Sequence, residues 1–136
     1  MNKYVKISLN IVVLIFLGWN FYGYYENKQS NNDLRNSFES YFTDSDKRIE
    51  MTWFKVDKNT IGIALNLNGI GLSSDPERKK IMKDNSRRLM KEKVCGSQQL
   101  VDYISKGNYI SIDIRNGDSV SLENIMNLSF SKGSCV

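Results

Sequence analysis

Ile110, Ile112 and Ile114 alternate with Ser111, Asp113 and Arg115, a period of two that predicts a strand with one apolar face. The Asn116-Gly117 pair that follows predicts a hairpin, because it readily supplies the positive φ angles of a type I′ turn. Val120, Leu122, Met126, Leu128 and Phe130 keep the same parity, so the partner strand is expected to reach about Phe130, bent or bulged near Asn124. Upstream, Met51 to Val56 and Thr60 to Leu67 flank Asp57-Lys58-Asn59 and predict another hairpin. In its second strand Ile61, Ile63, Leu65 and Leu67 alternate with Gly62, Ala64 and Asn66, and Trp53 reads as core or as a rim anchor of that sheet.

Between the hairpins the apolar spacing changes to that of helices. Ser74-Asp75-Pro76-Glu77 is a helix start, with a cap residue, proline in the first turn and an acid beside it, and predicts a helix from about Pro76 to Val94. Its apolar stripe is narrow: Ile81, Met82, Leu89, Met90 and Val94. Ser97 opens a second, short helix through SQQLVDYISK, with Leu100, Val101 and Ile104 on its buried edge and Gly107 stopping it. Nearer the N-terminus, Asp33 is expected to cap a helix through about Phe42, its face made by Leu34, Phe38, Tyr41 and Phe42. These aromatics read as a packing face, with a groove for a partner as the alternative.

Residues 1 to 25 follow another pattern. Lys3 and Lys6 precede an uncharged run from Ile7 to Tyr25, and as a helix this run would span roughly 28 Å, close to the ~30 Å hydrocarbon core of a bilayer. Trp19, Tyr22, Tyr24 and Tyr25 cluster at its far end, and the lysines orient the N-terminus inward. A signal anchor or signal peptide over 1–25, a polar linker over 26–32 and a small exported domain over 33–136 are therefore expected. No A-x-A-like cleavage site stands out, which favours an uncleaved inner-membrane anchor with the domain in the periplasm; a soluble periplasmic or secreted form after cleavage is the alternative. The domain of about 105 residues is of a size for one core, and a covalent staple would add to its margin. Cys95 and Cys135 are its two cysteines, and in an oxidising compartment they most simply pair with each other; the alternatives are a redox role, for which the C-x-x-C spacing is missing, and free or intermolecular thiols.

Charge is concentrated in one place. The predicted long helix and its cap carry eight Lys or Arg against four Asp or Glu, an excess equal to the net charge of +4 of the whole chain. Lys80, Lys83, Arg87 and Lys91 are the candidate partner-binding residues, facing an acidic protein surface or anionic lipid; a merely solvated face, with Asp84 pairing to Lys80, Arg87 or Arg88, is the competing reading, and nucleic acid is disfavoured for an exported domain. Histidine is absent, there is no third cysteine for a zinc set, and Asp44 and Asp46 are too few for a calcium loop. Asp102, Asp113, Asp118 and Glu123 fall where exposed strand and turn residues are expected. No catalytic, metal-binding or cofactor-binding residue is assigned, and Gly69-x-Gly71 lacks the basic and hydroxyl residues of a phosphate loop.

Taken in order, the basic helix running into Cys95, the short helix ending at Gly107, the NYISIDIR hairpin and the terminal Cys135 resemble small disulfide-linked periplasmic proteins of Gram-negative bacteria, including the Vibrio-type pilotins of type II secretion. The resemblance covers about Ile81 to Cys135. Pilotins of that kind are lipoproteins that carry a secretin to the outer membrane, whereas this chain has no cysteine before residue 95. The expected fold is α+β, with the two hairpins forming a small antiparallel sheet and helices packed on one face; a parallel crossover between the hairpins stays open. The expected function is non-enzymatic: an envelope binding or assembly module for a protein partner, such as a secretion-system accessory. The alternative is a periplasmic inhibitor or immunity protein against an enzyme toxin, with the basic helix matching an acidic cleft.

Overall fold

The computed structural model describes residues 31–72 and 74–136. The expected anchor over 1–25 and most of the expected linker lie outside the described residues, and among those described no helix is long and apolar enough to cross a membrane. Residues 31–43 are helical (α1), so Asp33 lies inside the helix and is not its cap; its carbonyl accepts from Ser37 Oγ at 2.9 Å. Phe38 to Val136 form one compact unit.

Within that unit the order is β1 (Ile49–Asp57), β2 (Thr60–Leu67), α2 (Pro76–Cys95), α3 (Gln98–Ser105), β3 (Tyr109–Asn116) and β4 (Asn124–Phe130), after the end of α1. The long helix forms as its start signal predicts. Asp75 has extended backbone and its side chain accepts from the Glu77 N–H at 3.0 Å, with Pro76 filling a position where no donor is needed. Ser97 caps α3 through the Leu100 N–H, and Gly107 follows the helix end with a positive φ of 89°.

The four strands make one sheet in the order β1-β2-β3-β4. Each predicted hairpin is antiparallel, with Asp57 opposite Thr60 and Ile110 opposite Phe130. The expectation of an antiparallel sheet fails at its centre, where β2 and β3 run parallel with Ile61 beside Ile110 and Leu65 beside Ile114. The reason is the connection: residues 68–108 carry α2 and α3 back along the sheet, which is what a parallel neighbour requires. Period-two patterning is the same in either direction.

The helix-facing side is the core. Ile63, Leu65, Ile110, Ile112 and Ile114 are each at most 1% exposed and pack with Phe42, Met90, Val94 and Ile104. Phe38 stacks on Phe42 and tilts onto Phe54, so the α1 aromatics serve packing; Tyr41 stays at the surface. In α2 the buried stripe runs through Ser86, Met90 and Val94, flanked by Met82 and Leu89, while Ile81 is 54% exposed and drops out of the predicted stripe. Cys95 is bonded to Cys135, 40 residues on, with Cα atoms 5.4 Å apart. The bond ties the end of α2 to the tail beyond β4.

The second turn differs from the one predicted. Neither Asn116 nor Gly117 has a positive φ, so this is no type I′ turn, and β4 begins only at Asn124. Gly117 instead extends the β2–β3 ladder, donating to the Leu67 carbonyl at 2.8 Å, and the Asn68 side chain occupies the space a Cβ would need. Val120 and Leu122 therefore sit in the loop, exposed, rather than in the strand; Leu122 has a φ of 50°. The expected irregularity near Asn124 is present, as Ile125 is passed over between the pairs Ile114–Met126 and Arg115–Asn124.

Candidate partner-binding surface

At about 100° per residue, Lys80, Lys83, Arg87 and Lys91 fall within about 80° of arc on α2. All four are exposed. They share one face because the spacing i, i+3, i+7, i+11 follows the helical repeat, beside a buried stripe that holds the helix on the sheet. Arg87 lies 3.9 Å from Asp84, a loose surface pair; among the described residues no salt bridge reaches Lys80, Lys83 or Lys91. Of the three partners expected for Asp84, Arg87 is the one within reach.

Two other cations of the helix are engaged. Lys93 donates to the Tyr41 carbonyl at 2.9 Å and lies 4.8 Å from the Tyr41 ring centroid, while Tyr41 Oη donates to the Lys93 carbonyl at 2.6 Å. Lys79 pairs with Glu123 at 3.2 Å. That pair brings the basic arc beside β4, which is an edge strand. A shallow hollow of about 110 Å³ lies there between α2 and β4, lined by Lys79, Lys83, Asn124 and Ile125 among others. Neither Lys79 nor Glu123 was assigned from the sequence, since the pair depends on how the helix lies against the strand.

A second feature is an apolar cavity of about 230 Å³ where α2 meets the ends of β1 and β2, walled by Ile49, Leu65, Leu67, Ile70, Met82 and Leu89. At its rim Arg48 donates to Asp46 at 2.8 Å, and the hydrogen bonds from the Arg48 side chain, then its backbone N–H, hold the Asp46 carboxyl below its usual range. Next to it Asp118 accepts from the N–H groups of Gly69 at 2.9 Å and Gly71 at 2.6 Å, whose positive φ angles of 73° and 76° turn both amides toward it. Those two hydrogen bonds lower the Asp118 pKa from its ordinary value of 3.8. Asn116 Nδ2 adds a bond to the Gly71 carbonyl. The Gly69-x-Gly71 loop thus receives an anion, but one supplied by this chain.

The remaining acids are dispersed. Asp102 accepts from Gln98, and Asp113 stands 3.9 Å from Arg115. Among the described residues no group of three or more His, Cys, Asp or Glu side chains is placed to hold a metal ion.

No family model matches the chain, and no curated protein matches it. Solved structures do. A Pseudomonas aeruginosa protein described as a presumed secreted protein aligns at a TM-score of 0.51 and 18% identity, over 67% of this chain and 75% of its own. The pilotin of the Vibrio vulnificus type 2 secretion system aligns at 0.46 and 14% identity over 80% and 97% of the two chains, and the type II secretion pilotin of Vibrio cholerae at 0.47 and 12% identity over 81% and 96%. The weak resemblance to such pilotins noted from the sequence is thus met again among solved structures. At 18% identity the likeness to the Pseudomonas aeruginosa protein speaks for the fold alone.

Proposed function

We propose that this chain is a non-enzymatic binding or assembly module of the cell envelope, which holds a protein partner where the basic arc of α2 runs beside the edge strand β4. The observation that carries the reading is the set of exposed cations at Lys80, Lys83 and Lys91, without a salt bridge among the described residues, next to a strand edge paired on one side only. An unpaired strand edge offers backbone hydrogen bonds to an extended segment, and a basic rim selects acidic ones. An N-terminal apolar segment behind two lysines supports the envelope location, as does a disulfide, which persists in oxidising compartments. A secretion-system accessory is the specific role we favour within that class.

The test compares the wild-type chain with a variant carrying Lys80→Glu, Lys83→Glu, Arg87→Glu and Lys91→Glu. Capture of the envelope partner should weaken at least about tenfold and lose much of its salt dependence, with folding retained, because exposed ion pairs contribute only about 0 to 1 kcal/mol each. Unchanged capture and an unchanged salt slope would retire the electrostatic reading. A captured partner that proves to be an enzyme, inhibited by the chain, would select the inhibitor role instead.

A further inference from the structure

The face of the sheet turned away from the helices contains a feature that partner binding along α2 does not use. Trp53 is 49% exposed although it stands in the middle of β1. A register shift between Met51 and Trp53 sets it opposite Ala64 and diagonal to Gly62. A Cβ on Gly62 would lie 2.7 Å from Cζ3 and 3.0 Å from Cη2 of the indole. The ring therefore rests on the glycine and leaves much of its surface to solvent.

Polar groups gather around that ring. One open hollow of about 390 Å³ is lined by Thr52, Trp53, Asn66, Asp113, Arg115 and Leu122. Another, of about 570 Å³, continues from Trp53 and Asp113 to the β1–β2 turn past Lys55, Thr60 and Ser111. Asn66 is 7% exposed, and its Oδ1 is buried without a hydrogen-bond partner.

We propose that this strip is a saccharide-binding site, which takes an oligosaccharide of pyranose rings with one ring stacked on Trp53. Sugar hydroxyls both donate and accept, so one ligand class can satisfy the Asp113 carboxylate, the Arg115 guanidinium and the Ser111 and Thr52 hydroxyls together. The apolar face of a pyranose covers an indole, as an amphipathic ring requires. The two hollows meet at Trp53 and Asp113, which favours a chain of rings over a single one. Charge argues against nucleic acid: Lys55 pairs with Asp57 at 3.5 Å and Arg115 stands beside Asp113, which leaves Lys58 as the strip's single excess cation.

The experiment is calorimetric titration of the full-length chain, prepared without glycoside detergents, with triacetylchitotriose and separately with cellotriose and maltotriose. Binding with a Kd of about 1 mM or tighter is expected for at least one of the three trimers. Trp53→Ala should weaken it at least about tenfold, Trp53→Phe less, and Asp113→Asn severalfold, each with circular dichroism to show the fold is kept. The four-site α2 variant should bind sugar unchanged, which separates this site from the proposed partner surface. Absence of binding to all three sugars at about 10 mM, or equal affinity in folded Trp53→Ala, overturns the proposal.

Discussion

The two faces of this sheet are built from the same four strands and do opposite work. On the helix side Ile110, Ile112 and Ile114 are fully buried among aliphatic neighbours. One residue away on the same strand, Ser111, Asp113 and Arg115 lie on the other face, under no helix among the described residues and beside Trp53. The difference teaches where stability resides. The covered face derives its free energy from apolar surface removed from water, whereas the open face leaves polar groups and an aromatic ring in reach of solvent.

The largest test of that contrast is truncation on each face. Ile112→Ala should cost about 2 to 5 kcal/mol in denaturant unfolding, since neighbours close only partly around the cavity. Its neighbour Ser111→Ala should stay within about 0.5 kcal/mol. Equal losses at the two positions would mean that the open face is covered in solution.

Next in size is the staple on the covered side. Replacing Cys95 and Cys135 together by serine should lower stability by about 2 to 4 kcal/mol, as the 40-residue loop it closes is released in the unfolded chain. Nonreducing mass spectrometry of the wild type should show the link directly. Two alkylatable thiols in natively oxidised protein would contradict it.

A smaller effect is expected where the two faces meet at the end of the sheet, at Asp118. Its folded pKa lies below the ordinary 3.8 because the Gly69 and Gly71 N–H groups favour the carboxylate. The stabilisation is therefore present above about pH 4 and is lost as pH falls through the lower, folded value. Asp118→Asn should lower the melting temperature at pH 7, and the gap to wild type should close below that window. Asp46 titrates in the same direction through Arg48 in both proteins, so the difference between them isolates Asp118. A gap that persists unchanged into strong acid would assign the loss to shape rather than charge.

Much of the local structure was legible because it depends on neighbours in sequence. The Asp75-Pro76 start, the Ser97 cap, the Gly107 stop and the alternation from Ile110 to Ile114 each rest on dihedral preference or a short repeat, and each is present. Pairing of Cys95 with Cys135 followed from there being two cysteines and one compartment that allows the bond. The candidate cations were likewise readable as one arc of α2, since helical periodicity places them together. Ile81 was misplaced because a narrow apolar stripe does not say which of its margins meets the sheet.

What only the tertiary structure decided involves partners distant in sequence. Alternation is blind to strand direction, so the parallel join of β2 to β3 depends on where α2 and α3 return the chain. Asn116-Gly117 carries the composition of a tight turn, yet Gly117 is needed for the approach of Asn68, a contact no local window contains. The same holds for Trp53, whose place on the open face follows from a register shift and from the absence of a side chain at Gly62 in the next strand. Backbone preference and periodicity act over a few residues and can be read along the chain; strand direction, close approach and orphaned polar atoms such as Asn66 Oδ1 are properties of packing, which exists only once the sheet has formed.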